Sequence, residues 1–252
     1  MALIKFLGTA GARFVVAKQL RYSAGTVIKS KSATLILDPG PGTLLRLSSA
    51  RPKIPIESVN GIILTHIHLD HSTDANIILD SITEGGLKKF GVLFTTDEAL
   101  NSENRVILPF LKPYLEGIFT LTHGGIFEFK DIRFTSFKHN HGAETYGIKL
   151  EIDGKIVSFV VDTLFFDELI SYYKNSDYLI LNVVRLSEKE GVQHLSVPDV
   201  EKFIKYANPK KVIMTHFGMT MLKASPEKVA ETLSDKYGVE VIAAYDGLTV
   251  EF

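Results

Sequence analysis

The run Gly61-Ile62-Ile63-Leu64-Thr65-His66-Ile67-His68-Leu69-Asp70-His71 decides how this chain is read. Gly61–Leu64 is a short apolar stretch of buried-strand type, and it delivers three imidazoles and a carboxylate into a loop ahead of a helix that starts near Asp74. Side chains alternate along an extended segment, so His66 and His68 face one way. Asp70 and His71 reach a second position once the chain turns. Burying such a cluster without a compensating ion is costly. Two adjacent metal positions, each ligated by nitrogen and oxygen, fit the pattern.

Outward from that run, the composition narrows the choices. The chain has 252 residues, 45% of them hydrophobic and 23% charged, which predicts a folded globular chain with no linker or repeat dividing it, and so a single domain over 1–252. With no Cys, disulfides, a thiol nucleophile and thiolate metal sites are excluded together, so any metal is held by His, Asp and Glu. Lys+Arg 28 against Asp+Glu 29 leaves a formal charge of −1, too balanced to recruit nucleic acid through a global field. No apolar run approaches the roughly 18 residues of a membrane helix, and the opening MALIKFLGTAGAR lacks a basic leader. The expectation is a cytoplasmic protein with no membrane partner.

Strands are expected at Leu3–Leu7, Thr26–Lys29, Thr34–Asp38, Gly61–Leu64 and Val92–Thr95, then at Ile126–Phe129, Ile132–Phe137, Gly147–Ile152 and Lys155–Val161. Asp153-Gly154 marks a hairpin, since both residues tolerate positive φ. Helical spacing appears in Asp74–Ile82, Glu103–Leu111, Phe166–Tyr173, Pro198–Ala207 and Pro226–Tyr237, the last with Ser225 as its N-cap. Four further strands follow at Tyr178–Leu181, Val212–Met214, Val239–Ala243 and Leu248–Phe252. Too many consecutive strands open the chain for a Rossmann-like sheet. The pattern predicts an α/β protein with two mixed β-sheets face to face and helices outside.

His66-x-His68-x-Asp70-His71 resembles the metal motif of the metallo-β-lactamase superfamily, and the likeness runs along nearly the whole chain. The resemblance implies that family's four-layer αββα sandwich. It also supplies the later ligands in order: His141 before the strand Gly147–Ile152, Asp162 after Ser158–Val161, and His216 after Val212–Thr215. By this likeness His66, His68 and His141 hold one divalent ion, Asp70, His71 and His216 hold the other, and Asp162 bridges. Zinc is the expected pair of ions, with Mn, Fe or Co open to the same N/O donors. His139 competes with His141 for the third imidazole, the spacing to Tyr146-Gly147 favouring His141. Asp38, in Asp38-Pro39-Gly40-Pro41-Gly42, reads as a residue that orients a ligand rather than as a ligand. His123 reads as a turn residue.

Within the superfamily, zero Cys excludes the lactamases with a Cys ligand, and the length leaves no room for an inserted nuclease cap. Phe6-Leu7-Gly8-Thr9-Ala10-Gly11, Gln193-His194-Leu195-Ser196 and Thr215-His216-Phe217 are similar to segments of ribonuclease Z and the small phosphodiesterases. That resemblance implies metal-assisted hydrolysis of a phosphodiester by hydroxide formed at the paired ions. Asp70 orients the nucleophile and His194 donates to the leaving oxygen; Ser196 reads equally as a helix N-cap. Two departures disfavour tRNA as the partner. Asn182 stands where ribonuclease Z places a Glu to support that His, and no Gly/Pro/Lys-rich arm is present. Leu100–Gly117 reads instead as a helical cover near the site, and the expected partner is a small anionic substrate. Alternatives on the same dinuclear site are a ribonuclease Z-like tRNA endonuclease and a thioester or lactone hydrolase; a non-catalytic metal-binding protein is the third. The oligomeric state stays open, a homodimer included.

Overall fold

In the computed structural model, which describes residues 2–23 and 25–252, two β-sheets face each other with helices on their outer sides. The first half of the chain supplies β1 (Leu3–Phe6), α1 (Ala12–Ala17), β2 (Thr26–Lys29), β3 (Thr34–Leu37), α2 (Thr43–Ser48), β4 (Gly61–Ile63), α3 (Leu69–Ser72) and α4 (Ala75–Ile82). It continues with β5 (Val92–Thr95), α5 (Asp97–Asn101) and β6 (Gly117–Thr120). The second half supplies β7 (Ile126–Phe129), β8 (Ile132–Lys138), β9 (Tyr146–Ile152), β10 (Lys155–Val160), α6 (Glu168–Tyr172), β11 (Tyr178–Arg185) and β12 (Leu195–Ser196). Then come α7 (Val197–Ala207), β13 (Lys211–Thr215), α8 (Met219–Lys223), α9 (Pro226–Tyr237), β14 (Glu240–Ala243) and β15 (Thr249–Glu251).

The first sheet runs β15-β1-β2-β3-β4-β5-β6 and the second β14-β13-β11-β10-β9-β8-β7, with β12 beside β11. One core fills the space between them, with Phe6, Ile28, Leu35 and Phe94 from one side meeting Phe134, Ile148, Phe159 and Ile213 from the other. Two further cores pack helices on the outer faces: α2 and α4 on the first sheet, α7 and α9 on the second. Each such fully buried aliphatic or aromatic side chain contributes about 1.5–3 kcal/mol. The arrangement is the expected four-layer αββα sandwich. Among the described residues no helix is long and apolar enough to cross a membrane.

Strand direction places the site. β3, β4, β5 and β6 pair in parallel, as do β10, β11, β13 and β14. Their C-terminal ends therefore open at common edges, where parallel sheets place ligands. Asp153 and Gly154, at φ 50° and 73°, make the tight turn between β9 and β10 that their sequence predicts.

Several local expectations are corrected. No helix spans Glu103–Leu111: α5 ends at Asn101 and a 3₁₀ segment follows at Pro109–Tyr114. The buried Ile107, Leu111 and Leu115 belong to the core under α4, and the Asn76 side chain ties down Val106 and Leu108, so this stretch covers α4 rather than forming a helical lid. Ser225 makes no side-chain cap to α9. Ser196, by contrast, caps α7 in a reciprocal box with Asp199. Asp74 precedes α4, and its carboxylate accepts from Gly42 N and Leu44 N at the start of α2.

Candidate metal centre

At the end of β4 the chain leaves the sheet and turns into α3, carrying His66, His68, Asp70 and His71. Asp38, just after the neighbouring β3, organises this segment. Its carboxylate accepts from Thr65 N (2.7 Å), Thr65 Oγ1 (2.7 Å) and His71 Nδ1 (3.0 Å). Because the Thr65 hydroxyl gives its proton to Asp38, it accepts from His66 Nδ1 at 3.1 Å. Both rings thus spend Nδ1–H on orienting partners and turn Nε2 toward the same space. Gly40 is required here: a Cβ would sit 2.0 Å from Asp70 O.

The second sheet closes the other side. Asp162 follows β10, and Asn182 of the adjacent β11 donates to its Oδ1 at 2.9 Å. His216 follows β13 with φ 58°, a left-handed conformation costly for a residue with a Cβ. Phe217 N donates to Thr9 O and Gly11 N to Phe217 O, fixing this turn against the Gly8–Gly11 segment. A Cβ on Gly11 would lie 2.1 Å from His216 O, so glycine is needed for the approach. His141 donates from Nδ1 to Gln193 O at 3.0 Å, leaving Nε2 3.1 Å from His68 Nδ1.

All of these groups converge on Asp162. Its Oδ2 lies 3.4 Å from His71 Nε2, 3.6 Å from His194 Nδ1, 3.9 Å from His141 Nε2 and 4.0 Å from His66 Nε2; Oδ1 lies 3.4 Å from His216 Nε2. Asp70 Oδ2 approaches His216 Nε2 at 3.6 Å and His71 Nε2 at 3.8 Å. Donor atoms of His66, His68, His141 and Asp162 lie within 4.8 Å of one another, as do those of Asp70, His71 and His216. His66 Nε2, His71 Nε2, His194 Nδ1 and His216 Nε2 are buried yet have no hydrogen-bond partner among the described residues. Buried polar atoms are normally paired. The orphaned nitrogens of His66, His71 and His216 around one buried carboxylate suit a divalent metal centre, with the fourth, on His194, beside it.

Electrostatics divide the cluster. Burial, with His71 beside it, holds His66 well below the ordinary imidazole range, and burial lowers His68 and His141 as well. Burial also opposes charge on His71, but the nearby carboxylates of Asp70 and Asp162, with the hydrogen bond to Asp38, outweigh it and hold His71 well above that range. Asp162 is held well below the carboxylate range: burial works against its charge, and the surrounding His216, His71 and His194 more than offset it.

The structure brings together every sequence-expected site residue: His66, His68, Asp70, His71, His141, Asp162, His194 and His216. It separates the two candidates on the β8 end. His139 lies beyond the last residue of that strand, buried, with Nε2 on Tyr173 Oη at 2.7 Å and outside the cluster, whereas His141 is in it. Asn182, opposite Thr215 in the strand register, donates to Asp162, and among the described residues no hydrogen bond joins it to His194. His123 sits in a turn, its Nδ1 accepting from Lys138 N. The Thr65 bridge, the Gln193 carbonyl and the Tyr173 contact escape sequence reading, because each depends on a neighbour distant in the chain.

A sequence profile of the beta-lactamase superfamily domain matches residues 33–217. The uncharacterized protein MJ1374 of Methanocaldococcus jannaschii is 31% identical over 255 aligned positions, which cover 98% of this chain and 94% of that protein. The chain belongs to the beta-lactamase superfamily of metal-dependent hydrolases. It stands near the ribonuclease Z branch: ribonuclease Z of Borrelia garinii is 23% identical over 311 positions, covering 98% of this chain and 96% of that enzyme. Among solved structures, the metallo-beta-lactamase fold protein YhfI from Bacillus subtilis matches all of both chains with a TM-score of 0.81 at 18% identity. A diphosphatase of the PhnP family matches with a TM-score of 0.72 at 17% identity, covering 100% of this chain and 97% of that one. At these identities the two structures speak for the shared fold.

Proposed function

We propose that the protein is a metal-dependent phosphodiesterase acting on small phosphodiesters. The observation that carries this reading is the convergence of orphaned imidazole nitrogens on Asp162, with His194 at the same carboxylate. His66, His68 and His141 would hold one divalent ion, and Asp70, His71 and His216 a second, with Asp162 facing both; zinc suits these donors best. Divalent ions there supply Lewis acidity toward a phosphoryl oxygen and lower the pKa of water toward neutrality.

The chain's own residues supply the rest. Asp70, the most exposed carboxylate of the cluster, is placed to orient water at the open side. Burial lowers the His194 pKa below its ordinary range, so the ring is neutral at physiological pH and serves the leaving oxygen as an N–H hydrogen-bond donor. Asn182 fixes the Asp162 carboxylate through one N–H and leaves Oδ2 for the imidazoles. Two features support small diesters over RNA. A formal charge of −1 supplies no global basic field to draw a chain of phosphates. The alignment with ribonuclease Z runs over 311 positions against 252 residues here, so the relative carries insertions that this chain lacks. The likeness to ribonuclease Z over 98% of the chain favours tRNA processing as the second reading.

Turnover of bis(p-nitrophenyl) phosphate with added Zn or Mn, set beside a precursor tRNA and a thioester, tests the proposal. The small diester is expected to react fastest, with a Michaelis constant that depends weakly on salt. Salt-sensitive tRNA cleavage would return the protein to ribonuclease Z chemistry. Turnover of the thioester alone would make it an acyl hydrolase, and no turnover a metal-binding protein.

A further inference from the structure

A cavity of about 670 Å³ opens beside the centre, and His194 lines it while its Nδ1 faces Asp162. The volume lies in the range of small-molecule pockets. Its apolar side is Leu164, Phe165 and Val192. Leu164 is 42% exposed, although it lies only two residues beyond Asp162 and its backbone N is fixed to Asn140 O at 2.8 Å. Phe165 is braced edge-on by Phe203. The opposite wall ends at Gln193, whose carbonyl orients His141. One wall is therefore tied to the main chain next to His141 and the other to His141 itself.

The charges around this cavity are uneven. Glu188, Glu190 and Asp199 face Lys189 and Lys202, three carboxylates against two ammonium groups. Lys202 is already engaged by Asp199 at 2.9 Å and Glu188 at 3.3 Å. An entering anion meets three carboxylates against two ammonium groups, of which Lys202 is engaged and Lys189 remains, whereas a flat apolar group meets Leu164, Val192 and the Phe165 ring, over which Lys202 Nζ lies at 4.3 Å.

We propose that this cavity receives the group that leaves when the ester is cut, and that it takes an uncharged aryl or heteroaryl group and rejects one bearing a further phosphate. The proposal rests on the phosphodiesterase reading for the bond broken. The oxygen of water joins phosphorus, the P–O bond to the leaving group breaks, and the leaving oxygen takes up a proton. A polynucleotide is disfavoured by the same cavity, because the nucleotide beyond the cut carries its own phosphate.

Two measurements on the protein as purified test this. In the first, kcat/KM is compared for ethyl 4-nitrophenyl phosphate and for its analogue with a phosphate on the ring. Wild type should prefer the plain ester, Glu188→Gln/Glu190→Gln should raise the phosphorylated analogue about tenfold relative to it, and Leu164→Ser should raise KM for the plain ester several-fold with kcat little changed. In the second, NMR follows binding of 4-nitrobenzyl alcohol, which should shift the Leu164 and Val192 methyl signals and bind several-fold more weakly to Leu164→Ser. Leu164 is exposed enough for that variant to fold. Equal use of both esters, or alcohol binding that is absent or unchanged in Leu164→Ser, would overturn the proposal. If wild type hydrolyses no phosphodiester, the proposed function falls, while the alcohol titration still decides whether the cavity takes an uncharged ring.

Discussion

At the edge of the first sheet the imidazoles are held by side chains, and at the edge of the second by backbone. Thr65 and Asp38 fix His66 and His71 through hydrogen bonds of 2.7–3.1 Å. His216 has no such partner and takes its place from a left-handed turn pressed against Gly11. His141 relies on a main-chain carbonyl. The contrast separates two kinds of fragility. The first edge should fail by losing an orienting contact with the fold intact, and the second by losing backbone shape.

Asp162 belongs to both halves, so its replacement should have the largest effect. Asp162→Ala is expected to lower hydrolysis by more than about a hundredfold, beyond the range typical of outer partners, and to remove bound metal as measured by elemental analysis. Retention of both metals in that variant would break the picture of a shared carboxylate. Gly11→Ala comes next: the added methyl should cost about 1–3 kcal/mol in thermal unfolding and reduce metal content, because His216 O must move. Asp38→Ala should weaken zinc binding by about 10–100-fold. If Asp38→Ala destabilised the metal-free fold as much as Gly11→Ala does, the distinction between the edges would be lost.

A further difference between the two edges concerns protons. His139, beneath the second edge, is buried and pushed down to about 3, whereas His71 in the first is held well above its usual range. In the metal-free protein His139 should stay neutral through mildly acid pH. Its folded pKa lies below the ordinary 6.5, so it contributes stability that is present above 6.5 and lost as pH falls toward 3, by up to about 1.4 kcal/mol per pH unit. His71 has the opposite sign: its contribution is full below 6.5 and lost as pH rises through its raised folded value. NMR titration of both rings checks this directly, and His139→Gln should flatten the acid limb of the stability profile.

The comparison also explains what the sequence made legible. His66, His68, Asp70 and His71 are contiguous and chemically distinctive, so they declare themselves without a structure. His141, Asp162 and His216 are single residues at strand ends, visible only because a known family sets their order. The Asn182–Asp162 bond depends on which strands are neighbours, which no local signal records. The short helices Ala12–Ala17 and Thr43–Ser48 give too few turns for periodicity to emerge. The edge strand Gly117–Thr120 lacks a buried face to impose alternation. The apolar spacing over Glu103–Leu111 misleads because Ile107 and Leu111 are buried by a loop and a 3₁₀ turn rather than by a helix.

The central claim is that His66, His68, Asp70, His71, His141, Asp162 and His216 form one two-metal centre. A crystal of the zinc-loaded protein measured at the zinc edge tests it most directly. Two anomalous peaks should appear, one bounded by His66, His68 and His141 and the other by Asp70, His71 and His216, with Asp162 touching both. A single peak, or Asp162 or His216 turned away from the metal, would contradict it.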